Sequence, residues 1–123
     1  MNTYSVIAAG TAEQHRRREP WGNLLWLAGR NQANATGLTL GRVLIKKGES
    51  NPRHAHFNCE EVLYLLTGEL EHTVGPDCVR LRAGDTLTVP AGMFHSARSV
   101  GDGDADMIVA YSSADRDFVL EKS

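Results

Sequence analysis

Three histidines and two glutamates between positions 54 and 95 have the residue types and the spacing of a metal site. His54 and His56 are separated by one residue. In an extended strand such a pair lies on one face, with the two imidazoles about 6.6 Å apart along the chain. Both nitrogens can then reach one ion at about 2.0–2.1 Å. Glu60 and Glu61 follow at the start of an apolar run, and His95 comes after a turn. Three imidazoles and one carboxylate suit a borderline divalent metal that keeps open positions for other ligands.

Only one of the two glutamates can be the carboxylate ligand. Adjacent residues of a strand point to opposite faces, so either Glu60 or Glu61 faces the interior and the other faces outward. A carboxylate at the mouth of a buried strand needs a partner, because an unpaired buried charge is very costly. A metal ion is one such partner.

The other potential ligands carry weaker signals. His15 and His72 lack such a context and are interpreted as surface residues or hydrogen-bonded core residues, with the wall of a pocket as the alternative for His72. Cys59 and Cys78 are too few for a disulfide framework. They are interpreted as small apolar residues that stay reduced, with a thiolate ligand as the alternative for Cys59.

Several apolar side chains are candidates for substrate contacts. Phe57, Met93 and Phe94 flank the histidines and are predicted to supply an apolar wall for substrate binding. Trp21 and Trp26 are expected in the core, with a lid over one end of the pocket as the alternative.

Composition and charge narrow the possible partners. Thirteen Lys and Arg against fifteen Asp and Glu give a formal net charge of -2, which argues against binding to nucleic acid. Arg53 and Arg98 are candidates to bind an anionic substrate group, although alternation from His95 places Arg98 on the opposite face. No apolar run approaches the roughly 18 residues of a membrane span, and the first residues lack the order of a secretory signal. We therefore expect a cytoplasmic protein.

Short runs of alternating or purely apolar residues, separated by glycine-rich turns, predict an all-β fold. The predicted strands cover 37–47, 61–66, 69–74, 78–82, 86–89 and 105–111. Strands of this length at spacings of about 8–12 residues are typical of a barrel or sandwich. Residues 22–28 are a further candidate strand, 14–19 a candidate helix ending at Pro20, and 115–122 a short helix or an edge strand. No repeat or linker interrupts the chain, so residues 1–123 are expected to form one domain.

The spacing of nine residues resembles the two sequence motifs of the cupin superfamily. The first motif runs from Gly48 to Gly68 and the second from Gly84 to His95, with fifteen residues between them. The matching residues are Gly48, His54, His56, Glu61 and Gly68 in the first motif, and Gly84, Pro90, Gly92 and His95 in the second. Ser99 departs from the pattern, because the family often has Asn there, although that Asn is not usually a ligand.

The resemblance implies a small jelly-roll β-barrel, also called a double-stranded β-helix, with its core between about residues 37 and 111. It selects Glu61 over Glu60 as the carboxylate ligand, because Glu61 keeps the motif spacing to Gly68. It implies one divalent transition metal ion, and the ligand set accepts Fe, Mn, Ni, Zn, Co or Cu. Such barrels hold one small-molecule ligand and are often homodimers, and the apolar residues on both faces of 61–66 agree with a homodimer.

Two functions are compatible with a metal in such a barrel. The first is a metal-dependent enzyme acting on a small polar molecule, with Glu61 as a catalytic base and a reaction that is either dioxygenase-like or that of a lyase or isomerase. Iron is the expected metal for the oxygen-using reaction, and manganese, nickel or zinc for the other. The second is a binding or sensing module that uses the same pocket without turnover, which the fold alone does not distinguish from an enzyme.

Overall fold

The computed structural model describes residues 3–122, and nearly half of this range forms β-strands. Within it there is one short helix, α1 (Ala9–Glu13). The eleven strands are β1 (Arg17–Glu19), β2 (Gly22–Ala28), β3 (Thr39–Ile45), β4 (His54–Ala55), β5 (Glu61–Thr67), β6 (Glu69–Val74), β7 (Asp77–Arg82), β8 (Thr86–Val89), β9 (His95–Ser99), β10 (Ala105–Tyr111) and β11 (Val119–Leu120). A helix able to cross a membrane is absent from the described residues.

The strands form two antiparallel sheets that enclose the core. The six-stranded sheet has the order β1-β2-β3-β10-β5-β8, and the five-stranded sheet has the order β11-β4-β9-β6-β7. Ile45, Leu65 and Val109 of the first sheet pack with Leu70 and Ala97 of the second, and all five are at most 2% exposed. The predicted all-β fold of the jelly-roll, or double-stranded β-helix, type is therefore confirmed.

The alternation of β5 determines which glutamate faces the interior. Glu61 and Leu63 are buried, whereas Val62 between them is exposed. Glu60 precedes the strand and is exposed. The prediction that the two glutamates face opposite sides, with Glu61 inside, is correct.

The turn at Gly68 connects the two sheets and tolerates only glycine. Its φ is +89°, in the left-handed region that residues with a Cβ rarely adopt. A Cβ at this position would lie 2.7 Å from the backbone oxygen of Asp104 and 2.8 Å from the Cα of Ala105. The chain therefore passes from β5 of one sheet to β6 of the other where Gly68 lies against the backbone of Asp104 and Ala105.

The ends of the chain differ in part from the predictions. The candidate strand at 22–28 is present as β2, but the helix predicted over 14–19 is wrong. Residues 17–19 form β1 instead and pair with β2 across a tight turn, in which Glu19 faces Gly22. Hydrogen bonds across this hairpin satisfy the backbone groups that a helix would otherwise pair locally.

The C-terminal segment forms an edge strand, which was one of the two predicted alternatives. Strand β11 pairs with β4, with Leu120 opposite His54. Strands β1, β2 and β11 all belong to the two sheets, which therefore extend beyond residues 37–111. The assignment of residues 1–123 to one domain stays a prediction.

Candidate metal centre

The structure brings together the four side chains that the sequence singles out as ligands. His54 of β4 and His95 of β9 lie opposite each other in the five-stranded sheet, and His56 follows β4. Glu61 reaches the same place from the first position of β5 in the other sheet. One ligand atom from each of the four side chains lies within 4.8 Å of all the others. All four residues are buried, with exposed fractions between 2% and 7%.

The three histidines share one hydrogen-bonding pattern. Each Nδ1 atom lies within hydrogen-bond distance of a backbone carbonyl oxygen. These distances are 2.7 Å from His54 to Pro52, 2.6 Å from His56 to Asp117 and 2.9 Å from His95 to Met93. Because a carbonyl oxygen only accepts, each Nδ1 must carry the proton and donate it. In the neutral imidazole each Nε2 then presents a lone pair, which is the form that binds a metal.

These lone pairs converge on the carboxylate of Glu61. Its Oε1 lies 3.0 Å from Nε2 of His95 and 3.3 Å from Nε2 of His56. The Nε2 atom of His56 is buried, and no group of the described residues forms a hydrogen bond with it. While the imidazoles are neutral, lone pairs of nitrogen and oxygen repel each other at this distance, unless a proton on Nε2 or a metal cation lies between them. Three imidazole nitrogens and one carboxylate oxygen therefore fit a borderline divalent metal ion.

Burial and mutual contact set the charges of the cluster. Burial lowers the pKa of His54 to about 4, so this imidazole is neutral at neutral pH. Burial alone would raise the pKa of Glu61, but contact with the imidazoles of His56 and His95 outweighs it and holds that pKa well below its usual range. Burial likewise opposes the charged form of His95, but the contact with Glu61 outweighs it and raises the pKa of His95. The metal-free cluster thus pairs one ionised carboxylate with imidazoles of unequal basicity.

A cavity of about 320 Å³ lies against this cluster. His54, Glu61 and His95 form one side of it. Much of the remaining wall is apolar and includes Trp21, Leu24, Trp26, Val43, Met107 and Phe118. The two tryptophans also pack against the hydrophobic core, as expected, and their role as a lid stays a prediction.

The three residues predicted to contact substrate lie elsewhere. Among residues 3–122, those that line the cavity do not include Phe57, Met93 or Phe94. Phe57 and Phe94, which are the chain neighbours of His56 and His95, pack edge to face against each other with ring centres 5.9 Å apart. Phe57 is also 52% exposed. Met93 contributes its backbone carbonyl to His95 rather than an apolar wall.

Two cavity residues were missed or undervalued by the sequence analysis. His72 of β6 is 2% exposed, lines the cavity and stacks on His95, with ring centres 5.7 Å apart and planes at 14°. The alternation of β6, in which Leu70 and His72 are buried, was the available signal. Arg116 also lines the cavity, and no local pattern distinguishes it from a solvated arginine.

The remaining candidates are accounted for by other contacts. Arg53 donates hydrogen bonds to Oγ1 of Thr73 and to the backbone oxygen of Gly75. Arg98 is exposed, as alternation from His95 predicts. Cys59 is a buried free thiol outside the ligand cluster, and Cys78 is exposed.

Comparison with known proteins relates these features to a family. The family model for the cupin domain matches residues 41–111, a range that includes all four side chains of the cluster. Polyketide synthase CurC from Streptomyces cyaneus is 32% identical over 103 residues, which are 84% of this chain and 66% of that protein. Oxalate oxidase 2 from Hordeum vulgare is 31% identical over 88 residues, which are 65% of this chain and 39% of that protein. The chain thus spans only part of the length of each curated relative.

Solved structures give the same result. A structure of oxalate oxidase superimposes with a TM-score of 0.75 at 25% identity and covers 83% of this chain and 56% of that chain. Oxalate decarboxylase from Bacillus subtilis superimposes with a TM-score of 0.81 at 21% identity and covers 88% of this chain and 30% of that chain, which supports the fold alone. Together with the matched domain, these similarities confirm the resemblance seen in the sequence: the chain belongs to the cupin family.

Proposed function

We propose that this cupin is a metal-dependent enzyme that holds one divalent transition metal ion through His54, His56, Glu61 and His95. One observation carries the proposal. The Nε2 atoms of His95 and His56 lie 3.0 Å and 3.3 Å from the same carboxylate oxygen, and His56 Nε2 is buried without a hydrogen bond. A buried cation satisfies these atoms together, whereas an empty site leaves His56 Nε2 without a partner.

The side chains of the cluster have separate roles in this proposal. A bound ion would polarise an oxygen of the substrate or exchange electrons with it. The backbone carbonyls that accept from Nδ1 of His54, His56 and His95 hold the three rings in the orientation that ligation needs. Glu61 is ionised and lines the cavity, so its carboxylate is placed to take a proton from the substrate as a general base.

The cavity indicates what kind of molecule fits. A volume of about 320 Å³ corresponds to about ten water molecules at about 30 Å³ each. Polar groups of the cluster form one part of the cavity lining, and tryptophans and aliphatic side chains form much of the rest. We infer a small substrate with an oxygen-bearing group for the metal and an apolar body for the opposite wall. Similarity to oxalate oxidase favours the oxygen-using reaction over the lyase or isomerase reaction.

Metal analysis of the purified protein tests the proposal. We expect about one equivalent of a transition metal in the wild type and its loss in His56→Ala. His15→Ala is the matched control, because His15 is exposed and lies outside the cluster, and it should keep the metal. A wild type without metal, or a His56→Ala variant that keeps a full equivalent, contradicts the proposal.

Oxygen uptake then separates the two reaction classes. Iron in the protein and consumption of oxygen with a small phenol, diketone or thiol would identify an oxygenase. Manganese, nickel or zinc, with activity that does not depend on oxygen, would identify a lyase or isomerase. A binding or sensing module would instead be identified by a small molecule that co-purifies with the protein and is recovered chemically unchanged. The protein would then show no turnover with or without oxygen.

We also propose that the chain forms a homodimer in the cytoplasm. Val62 and Tyr64 are 37% and 42% exposed on the outer face of β5, which supports an apolar contact between two copies. Light scattering should therefore give the mass of a dimer, which Tyr64→Arg should dissociate and Val79→Arg, on the other sheet, should not. A monomeric wild type contradicts the dimer. Two free thiols agree with a reducing compartment.

A further inference from the structure

The guanidinium of Arg116 is a cation without a counter-ion in the wall of the cavity. Arg116 is half-buried and lines the same cavity as the candidate metal ligands. Among the described residues no carboxylate forms an ion pair with it. The acidic residues on either side of it in the chain are engaged elsewhere. Asp115 pairs with Arg30, and Asp117 accepts a hydrogen bond from the backbone N–H of Phe57.

Other charged groups at the cavity are already paired. Arg17 and Glu19 both line it and form an ion pair with each other, with 2.8 Å between Nε and Oε1. Glu61 interacts with His56 and His95. The cavity therefore contains one arginine whose charge no residue of the described chain neutralises at contact distance. Removing part of a guanidinium from water is costly unless an anion compensates it.

Aromatic rings fix the orientation of this guanidinium. Its Cζ lies 4.2 Å from the ring centre of Trp26 and 5.0 Å from that of Tyr111. Stacking on rings uses the faces of the guanidinium and leaves the N–H groups at its edge as donors. A carboxylate is the anion whose two oxygens match that edge.

The arginine and the metal cluster are close enough to bind one small molecule. Tyr111 touches both, because its ring centre lies 5.0 Å from Cζ of Arg116 and 4.9 Å from the ring centre of His56. The side chain of Tyr111 thus lies between the guanidinium of Arg116 and the candidate metal ligand His56. The indole of Trp26, which stacks on Arg116 and lines the cavity, offers an apolar surface to the body of the same molecule.

We infer that Arg116 binds the anionic group of the substrate, and that the substrates of this site are small organic carboxylates with a second oxygen for the metal. Only one part of the inference rests on the proposed function, namely the contact between the second oxygen of the substrate and the metal. The contact between a carboxylate and Arg116 depends on the cavity and the guanidinium. The two can therefore be tested separately.

Two probes that differ in charge but hardly in shape test the inference. These are 4-hydroxybenzoate and its neutral counterpart 4-hydroxybenzamide. Both of the chain's tryptophans line the cavity, so quenching of tryptophan fluorescence reports binding. The titrations use the wild type, Arg116→Gln and Arg116→Lys, each as purified and after treatment with EDTA. Glutamine keeps a planar amide that can stack on Trp26, and circular dichroism checks that each variant is folded.

The wild type should bind the benzoate at least about tenfold more tightly than the benzamide, because hydrogen bonds to charged groups are the stronger ones. Arg116→Gln should weaken the affinity for the benzoate about tenfold or more and change the affinity for the benzamide less than about twofold. The affinity of Arg116→Lys for the benzoate should lie between those of the wild type and Arg116→Gln. Three results would overturn the inference. They are no preference for the benzoate in the wild type, an equal loss for both probes in Arg116→Gln, and a preference that survives in Arg116→Gln.

The metal content of the same samples distinguishes the two proposals. If Arg116→Gln loses its preference but no sample contains metal, the proposed function fails and the assignment of Arg116 stands. If all samples contain metal and the preference does not depend on Arg116, the assignment fails and the proposed metal site stands. An equal loss for both probes would mean that Arg116 acts as a packing element. It lies with Trp26 and Phe118 between this cavity and a second one of about 240 Å³.

Discussion

Acidifying the metal-free protein tests how strongly the cavity disfavours charge on its histidines. Burial lowers the pKa of His54 and the pKa of His72 to about 4, from 6.5. As the pH falls through 6.5, both side chains become protonated in the unfolded chain but remain neutral in the folded one. The unfolded state then binds more protons, so the free energy of unfolding decreases as the pH falls from 6.5 to 4.

The size of this effect follows from the pKa difference between the two states. Each unit of difference corresponds to about 1.4 kcal/mol, so each of the two histidines should cost about 3 kcal/mol across this window. The neighbouring groups do not cancel the loss. The raised pKa of His95 means that its protonation already stabilises the fold fully below pH 6.5. The lowered pKa of Glu61 means that its contribution is lost only below about pH 4.3. The sum is a large part of the roughly 5–15 kcal/mol that stabilises a typical domain.

Urea unfolding after chelation, at pH 7, 6, 5 and 4.5, measures the effect. His72→Phe removes one of the two titrating groups and should reduce the loss of unfolding free energy by about half. The lost hydrogen bond to the Thr73 carbonyl should cost about 1 kcal/mol at every pH and leave the slope unaffected. His15→Ala, at an exposed site, should keep the slope of the wild type. Equal slopes for the wild type and His72→Phe would refute the reasoning.

Two further substitutions test packing and pairing around the site. Gly41→Ala would place a Cβ 2.6 Å from two ring carbons of Trp26, so its free energy of unfolding should fall by about 1–3 kcal/mol. Gly37→Ala, where a Cβ meets nothing within 4 Å, should change it little, and equal effects of the two would be inconsistent with the packing described. Glu61→Gln removes the charge that raises the pKa of His95. An NMR titration of the metal-free variant should therefore give a lower His95 pKa than the wild type, and an unchanged value would argue against their contact.

Local alternation was sufficient to predict many of the strands and to show that only one of the two glutamates faces inward, and the resemblance to the cupin motif selected Glu61. In β5 the period of two separates Glu61 and Leu63 from Val62, and a one-residue shift would have exposed the whole apolar set. The glycine at position 68 marks the end of that strand for a local reason, its positive φ. These features depend on neighbours along the chain, so the sequence alone carries them.

Features that depend on distant contacts could not be predicted in the same way. The polar run 14–19 has no apolar period, and its strand forms because β2 is available to pair with it. Arg116 reaches the cavity because the C-terminal segment returns to the site, where the Asp117 carbonyl accepts from His56, 61 residues earlier in the chain. Phe57 and Phe94 were assigned to the cavity because of their proximity in sequence to His56 and His95, although their rings pack against each other and do not line it.

Anomalous diffraction from a crystal of the protein as purified, recorded at the absorption edge of the metal that elemental analysis finds, tests the central claim most directly. We predict one strong anomalous peak bounded by Nε2 of His54, His56 and His95 and by the carboxylate of Glu61. Density without a peak at this position, with the carboxylate of Glu61 hydrogen-bonded directly to protonated imidazoles, would contradict the metal centre. A peak coordinated by other side chains would contradict it equally.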